Sequence, residues 1–321
     1  MPDLRVDRVA VVLEGAVSPF ELGVACEVFG TDRGPDGIPG WEFAVCSPNA
    51  EPVRSSSGFT LQDLAPLDVA GAADLVIVPI CADRAAGPSD QVRTLLRDTV
   101  ERGAMVAGFC TGVFALGHAG LLDDRDCTAH WVYEAQFRQL FPAARLDPSA
   151  LYVADGPVVT SAGTVAAVDL CLHLVRRTRG AEAASALARR MVAAPHREGG
   201  QAQFVSAPLP RTEDHLLTEL MEWVERRLDQ PLTVAELAHR AGLGERTFLR
   251  RFTAATGTTP HRWLTQRRLE RAMRLLERTA LTLDEIAVTC GYGSAASLRH
   301  QFARRLGTSP SAYRRAFQIA S

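Results

Sequence analysis

The cysteine in the segment GFCTG, residues 108–112, has the surroundings of a nucleophile at a sharp turn between a strand and a helix. A short apolar run, AMVAGFC, leads into it, and a helix-like segment follows. Glycines two residues before and after Cys110 allow the chain to turn sharply, which leaves the thiol at a helix N-terminus. The pattern indicates either the nucleophile of an enzyme or the floor of a site that only binds.

A thiolate nucleophile usually needs a base within hydrogen-bond reach, and this sequence offers few near Cys110. The next residue is Thr111, and His130 in the segment CTAHW is the remaining candidate partner, with Asp124 or Asp126 to orient it. Three interpretations of Cys110 stay open: a wall of a ligand pocket, which we favour, an oxidation-sensitive or vestigial thiol, and an active nucleophile. We therefore do not expect an enzyme.

A second candidate for ligand binding lies in the segment TSAGTVAAVDL, residues 160–170. Ser161 and Gly163 stand at the start of an apolar helix, where free backbone N–H groups can receive an anionic ligand. The alternative is that Ser161 is a plain N-cap and that no ligand binds there.

The first two hundred residues alternate between strand-like and helix-like segments. The apolar runs RVAVVLE (8–14), WEFAVCS (41–47), ADLVIVPI (73–80) and AMVAGFC (104–110) suit strands that are covered on both faces. Residues 89–103 predict a helix that begins at Ser89 and ends at Gly103. This alternation favours an open α/β sheet, in which ligands bind at the carboxyl ends of the strands. Cys110 ends one such strand.

Composition and motifs exclude several classes of site. The seven cysteines form no CxxC pair, the eight histidines form no HxxxH or HExxH pair, and no glycine-rich phosphate loop occurs. We therefore expect no metal, no nucleotide cofactor and reduced thiols. No signal peptide and no apolar run of roughly 18–20 residues appears, so we expect a cytoplasmic protein without a membrane partner.

Charge is distributed unevenly along the chain. Residues 1–210 contain 17 arginines and 25 acidic residues, whereas residues 211–321 contain 18 arginines and 12 acidic residues. Lysine is absent, so every cationic side chain other than histidine is a guanidinium. A basic C-terminal part indicates contact with a polyanion, although chance segregation of solvated charge gives the same composition.

The basic part contains an internal repeat. The segments LTVAELAHRAGLGERTFLRRFTAATGTTPHRWL (232–264) and LTLDEIAVTCGYGSAASLRHQFARRLGTSPSAYR (281–314) align at an offset of 49 that becomes 50 after the turn. Each copy predicts a short helix, a turn at Gly242 or Gly291, and a second helix from Gly244 or Ser294. The segment 264–279 predicts a helix between the copies.

The second helix of each copy has one apolar face and one polar face. Phe248 and Phe252, four residues apart, must be buried, and so must Leu298 and Phe302 in the second copy. On the opposite face Arg246 and Arg250 lie one turn apart and are suited to guanine O6 and N7 in a major groove. Phosphate contact or simple solvation suits Arg251, Arg267 and Arg304 better. The residues expected at the DNA are Arg246, Thr247, Arg250, Arg251, Ser294, Ser297, Arg299 and His300.

Residues 215–317 resemble the DNA-binding domain of the AraC/XylS family, and the match is closest over IAVTCGYGSAASLRHQFARRLGTSPSAYR. Residues 108–131 and 155–175 resemble the amidotransferase-like, PfpI-type domain in the form fused to AraC-type regulators, the GlxA-like group. That resemblance implies a flavodoxin-like fold, a cysteine on the elbow and often a dimer. It also implies that Glu21 lies near the thiol and that His130 shapes the pocket. The PfpI-type hydrolases carry a histidine directly after the cysteine, where this chain has Thr111.

We therefore predict an α/β flavodoxin-like sandwich followed by an all-α tandem helix-turn-helix domain. The expected boundaries are 1–193 for the sensor or dimerisation domain, 194–212 for a linker and 213–321 for the DNA-binding domain. The predicted function is sequence-specific transcriptional regulation, and the expected partners are double-stranded DNA, a small-molecule effector, a second copy of the chain and RNA polymerase at the nucleoid. The alternative is a cysteine-dependent amidase, peptidase or glyoxalase-like enzyme centred on Cys110.

Overall fold

The computed structural model describes residues 5–34, 38, 40–193, 215–256 and 258–317. The chain divides into two units, Met1–Gln203 and Phe204–Ser321. The expected linker, 194–212, lies outside the described residues, so the two predicted domain boundaries remain predictions.

The first unit alternates strands and helices. Its strands are β1 Arg8–Val12, β2 Ala16–Val17, β3 Glu42–Cys46, β4 Val53–Ser55, β5 Thr60–Leu61, β6 Leu75–Val78, β7 Met105–Phe109, β8 Asp126–Cys127, β9 Arg145–Leu146, β10 Tyr152–Asp155 and β11 Val158–Ser161. Its α-helices are α1 Pro19–Ala25, α2 Leu67–Gly71, α3 Asp90–Glu101, α4 Gly112–His118, α5 Glu134–Leu140 and α6 Val165–Arg190, the last of which is interrupted at Gly180.

Six of these strands form the central sheet, in the order β10-β11-β7-β6-β1-β3. The four apolar runs are β1, β3, β6 and β7, and they pair in parallel as the sequence predicts. The sheet is mixed, however, because β10 pairs with β11 in antiparallel register through the turn at Gly156 and Pro157. The alternating α/β prediction is therefore confirmed, with an antiparallel edge strand added.

The period-two alternation of strand residues divides the core between the two faces of the sheet. Val9 and Val11 of β1 pack in a cluster that includes the buried face of α6. Ala10 and Val12 point the other way, into a cluster with α3 and α4. Because both faces are covered, nearly every residue of these strands is apolar. The helix predicted over 89–103 is α3, capped by Ser89, whose hydroxyl accepts the Val92 N–H at 3.4 Å.

The second unit is helical and contains the predicted repeat. Its helices are α7 His215–Glu225, α8 Val234–Arg240, α9 Glu245–Thr256, α10 Pro260–Arg278, α11 Leu283–Thr289, α12 Ala295–Leu306 and α13 Pro310–Phe317. The bridging helix α10 begins at Pro260, four residues before the predicted start. Thr233 and Thr282 cap the first helix of each copy by accepting the N–H three residues on, at 3.2 and 3.3 Å.

One arginine of α10 has a different role from the one its sequence suggests. Arg267 was expected to contact phosphate or solvent, but its side chain is buried and pairs with two carboxylates. Its Nη1 lies 2.7 Å from Glu270 Oε2, and its Nε contacts Glu225 of α7. The expectation is wrong because Arg267 lies on the face of α10 that packs against α7, where it compensates the buried Glu270.

Candidate functional site

Cys110 lies on a tight turn between β7 and α4. Its φ angle is 48°, a left-handed conformation that residues other than glycine rarely adopt. Its backbone N–H donates to the Ser161 carbonyl at 3.0 Å, which ties the turn to the neighbouring strand β11. A Cβ on Gly112 would lie 1.9 Å from the Val78 carbonyl oxygen, and one on Gly108 would lie 2.9 Å from Val113 Cα. Close packing therefore requires both glycines of the GFCTG segment.

The turn between β11 and α6 covers one side of Cys110. Gly163 has a φ angle of 84°, and a Cβ there would lie 2.2 Å from the Cys110 Cβ. Ser161 ends β11, and its hydroxyl accepts the Gly163 N–H at 3.0 Å. The N-cap of α6 is Thr164. The alternative in which Ser161 is the N-cap is therefore wrong, since Ser161 closes the turn before the helix begins.

Glu21 of α1 places a buried carboxylate at the N-terminus of α6. It is 5% exposed, and its Oε1 accepts the Thr164 N–H at 3.3 Å. The Ser18 hydroxyl donates to the other carboxylate oxygen. A negative charge is favourable at this end of a helix. Two of the backbone N–H groups that the sequence offered to an anionic ligand, those of Gly163 and Thr164, are thus bonded within the chain.

The thiol of Cys110 is held in its neutral form. Burial is the main cause, and the nearby Glu21 carboxylate adds to it, which together raise the pKa of Cys110 to about 11. The Thr111 N–H and the Arg84 guanidinium act in the opposite direction. At neutral pH the group is therefore a thiol, which is a weak nucleophile compared with a thiolate.

His130 and Thr111 lie near the elbow but engage other groups. His130 Nδ1 accepts the Val132 N–H at 3.3 Å, and burial lowers the pKa of His130 while the Glu21 charge opposes the shift. Within the described parts of the chain, no hydrogen bond joins His130 to Cys110. Thr111 is buried, and its hydroxyl accepts the Cys81 N–H at 3.2 Å. Asp126, one of the two acids considered as an orienter of His130, pairs instead with Arg145 at 2.7 Å.

Arg84 is a member of this site that the sequence analysis missed. It lies between β6 and α3, its Nε donates to Gln136 Oε1 at 3.0 Å, and its guanidinium lies 4.4 Å from the centre of the Tyr133 ring. The neighbouring Asp83 carboxylate accepts the N–H groups of Ala85 and Ala86. An arginine in the loop segment CADRAAGPSD has the same sequence context as any solvated arginine, so the local sequence does not indicate that Arg84 belongs to the site.

The second helices of the repeat expose the side chains expected at the DNA. In α9, Phe248 and Phe252 are almost completely buried, and the Phe252 ring packs 5.7 Å from that of Trp263 in α10. In α12, Leu298 and Phe302 are buried in the same way. The exposed residues of the two helices and of the α12 N-cap include Arg246, Thr247, Arg250, Arg251, Ser294, Ser297, Arg299 and His300. Ser294 also has a structural role, because it caps α12 by accepting the Ser297 N–H at 3.3 Å.

The part of the chain that the structure describes contains neither a candidate metal centre nor a candidate membrane span. Over residues 5–34, 38, 40–193, 215–256 and 258–317, no group of three or more His, Cys, Asp or Glu side chains is arranged to hold a metal ion. Across those same ranges, no helix combines the length and the apolar character that a membrane span requires.

Comparison with protein families matches each unit to one model. Residues 7–177 match the DJ-1/PfpI family, and residues 237–316 match a helix-turn-helix domain. The first match covers more than half of the chain.

Two relatives align with this chain over more residues than either unit contains. The HTH-type transcriptional regulator GlxA of Rhizobium meliloti is 30% identical over 87% of this chain and 86% of that protein. The HTH-type transcriptional regulator CdhR of Pseudomonas aeruginosa is 28% identical over 84% and 81%. The crystal structure of an AraC family transcriptional regulator from Pseudomonas putida gives a TM-score of 0.50 at 26% identity, over 57% of this chain and 98% of that one. The chain belongs to the DJ-1/PfpI family and, within it, to the DNA-binding transcriptional regulators that carry an AraC-type helix-turn-helix domain.

Proposed function

We propose that this regulator recognises its operator by placing α9 and α12 in successive major grooves, about one helical turn or 10–10.5 bp apart. The observation that carries the proposal is the division of α9 into two faces. Phe248 and Phe252 fix the helix to its own unit, while Arg246 and Arg250 extend into solvent one turn apart. Each guanidinium can donate two hydrogen bonds to a guanine.

The other exposed side chains have supporting roles in this proposal. Arg299 and His300 of α12 face the second groove, and hydroxyl groups at the start of that helix are suited to phosphate oxygens. Contacts to phosphate position the helices without selecting a sequence. The groups proposed to contact the backbone are those of Thr247, Arg251, Ser294 and Ser297.

The DNA proposal is tested by recovering genomic fragments bound to the purified full-length protein. The wild type should enrich a shared sequence about two helical turns long, and the Arg246→Ala/Arg250→Ala variant should lose it. The matched control, Arg177→Ala/Arg189→Ala, removes the same charge from exposed positions on α6 and should enrich the wild-type sequence. Enrichment by the Arg246→Ala/Arg250→Ala variant equal to that of the wild type would contradict the proposal.

We infer that a small metabolite binds at the Cys110 elbow and changes DNA binding. The elbow lies at the carboxyl ends of β6 and β7, which is where open α/β sheets bind ligands. Arg84 supplies a cation held by Gln136 and Tyr133, and Glu21 supplies a buried carboxylate, so carboxylates and amines are the favoured ligand classes. A ligand alters DNA binding only by binding two arrangements of the protein with unequal affinity. Cys110 lines this pocket and is not a nucleophile.

Alkylation of Cys110 tests the effector site, because a ligand at the elbow must cover the thiol. Cys26 is, like Cys110, a partly exposed cysteine and serves as the control thiol. Small carboxylates and amines that change DNA binding should slow the alkylation of Cys110 and leave the alkylation of Cys26 unchanged. The Arg84→Gln variant should lose the protection by carboxylates. If effectors change DNA binding and leave the rate of Cys110 alkylation unchanged, the effector-binding site is not at the elbow. Turnover of a substrate that Cys110→Ala abolishes would instead establish the rival enzyme.

A second copy of the chain and RNA polymerase are the remaining proposed partners. The proposed DNA contact places the protein at the nucleoid in the cytoplasm. Light scattering of the purified protein tests the homodimer, since one chain has a mass of 34.7 kDa and a dimer twice that. Contact with polymerase is tested by co-purification on promoter DNA, and its absence there would remove that partner.

A further inference from the structure

Leu249 is an apolar residue of α9 that lies outside the buried core of the second unit. It is 38% exposed, whereas its neighbours Phe248 and Phe252 are 0% and 1% exposed. Single exposed leucines are common on protein surfaces and indicate nothing by themselves. The position of this leucine on the helix is the informative feature.

Leu249 shares a face of α9 with the arginines proposed to contact bases. With 3.6 residues per turn, Leu249, Arg246 and Arg250 fall within about 100° of the helix circumference, and Leu249 lies at the edge of this arc, midway between the two arginines and the buried pair Phe248 and Phe252. All three are exposed. The three side chains span about 6 Å along the helix axis, which corresponds to about two base pairs at 3.4 Å each.

The repeat shows that the fold has no requirement for an apolar side chain at this position. The residue equivalent to Leu249 in the second copy is Arg299, which is also exposed. The buried positions, by contrast, are apolar in both copies, as Phe248 and Leu298 illustrate. The position of Leu249 is thus free to vary with the sequence that each helix must recognise.

In a major groove, the apolar feature that distinguishes one base from another is the C5-methyl group of thymine. An exposed leucine between two arginines is suited to that group and has no hydrogen-bonding partner to lose. We propose that Leu249 packs against the methyl group of a thymine that lies within about two base pairs of a guanine bound by Arg246 or Arg250. This inference rests on the proposed role of α9 in DNA recognition.

The test uses operator duplexes in which the thymines of the half-site bound by α9 are replaced one at a time by deoxyuridine. Deoxyuridine lacks only the methyl group and keeps the base pair. At one position the replacement should weaken binding by the full-length wild type about fourfold, the effect of one buried methyl group. Leu249→Ala should bind both duplexes with equal affinity. Val288→Ala, which truncates another exposed apolar side chain, on α11, should keep the fourfold difference.

Two results would overturn the inference while leaving the proposed function intact. One is a wild type that binds its operator specifically and is insensitive to every deoxyuridine replacement. The other is a Leu249→Ala variant that keeps the wild-type sensitivity. A wild type with no sequence-specific binding would overturn the proposed function and this inference together. As a second variant, Leu249→Arg copies the equivalent residue of α12 and should shift the preference at that base pair from A·T to G·C.

Discussion

At the scale of single residues, Cys110 combines the backbone of a nucleophile elbow with a thiol that stays neutral. The sequence predicts the turn because Gly108 and Gly112 are the residues that the packing requires. It does not predict the charge state, because that depends on burial and on Glu21, a residue nearly ninety positions away in the chain. Arg84 was missed for the same reason, since its neighbours Tyr133 and Gln136 come from a distant segment.

The buried ion pair of α10 gives a prediction about stability. Replacing Arg267 by alanine leaves the Glu270 carboxylate, which is 3% exposed, without its main cation. We expect the free energy of unfolding of the second unit to fall by about 3–5 kcal/mol at pH 7. Chemical denaturation of the full chain measures the change, with Trp41 and Trp131 of the first unit replaced by phenylalanine so that only Trp223 and Trp263 fluoresce.

The loss of unfolding free energy in Arg267→Ala should increase as the pH rises. Burial raises the pKa of Glu270 above its ordinary value near 4.5, so the folded state binds a proton more tightly than the unfolded state. Stability therefore decreases as pH rises from that ordinary value through the higher folded one, and the loss in Arg267→Ala should be smaller near pH 5 than at pH 7. Arg278→Ala, at an exposed position of α10, should change stability by less than about 0.5 kcal/mol. A loss of the same size at both pH values would contradict the assignment to Glu270.

At the scale of elements, helices and strands were predictable where the sequence carries both a period and an end signal. Ser89 and Gly103 delimit α3, and the two threonine caps begin α8 and α11. The repeat itself predicts the turn lengths, because the change of offset from 49 to 50 falls between α11 and α12. The antiparallel strand β10 was not predicted, since a short strand of mixed polarity next to a turn has little periodicity.

The turn between β11 and α6 shows that a local sequence pattern does not predict a contact with a distant segment. The sequence placed Ser161 at the start of a helix, but α6 starts at Val165, and a tight turn at Gly163 comes first. That turn is set by its contact with Cys110, which belongs to another strand. Local propensity cannot report such a contact, so the helix start was predicted four residues early.

At the scale of the whole molecule, the distribution of charge agrees with the functions that we propose for the two units. The acidic first part contains the flavodoxin-like unit, and the basic second part contains the two helix-turn-helix copies. Composition alone predicted a polyanion as a partner but not which surface meets it. The exposure of one face of α9, with its aromatic face buried, is the reason that we propose this face as the DNA-contacting surface.

Base recognition by α9 is tested by comparing how the protein binds specific DNA and random DNA. Binding of the wild type and of Arg250→Ala should be titrated on the recovered operator and on a random duplex at the same salt concentration. If Arg250 contacts bases, Arg250→Ala should lose about 1–3 kcal/mol of binding free energy on the operator and clearly less on random DNA. An equal loss on both duplexes would contradict it, because Arg250 would then contact only the phosphate backbone.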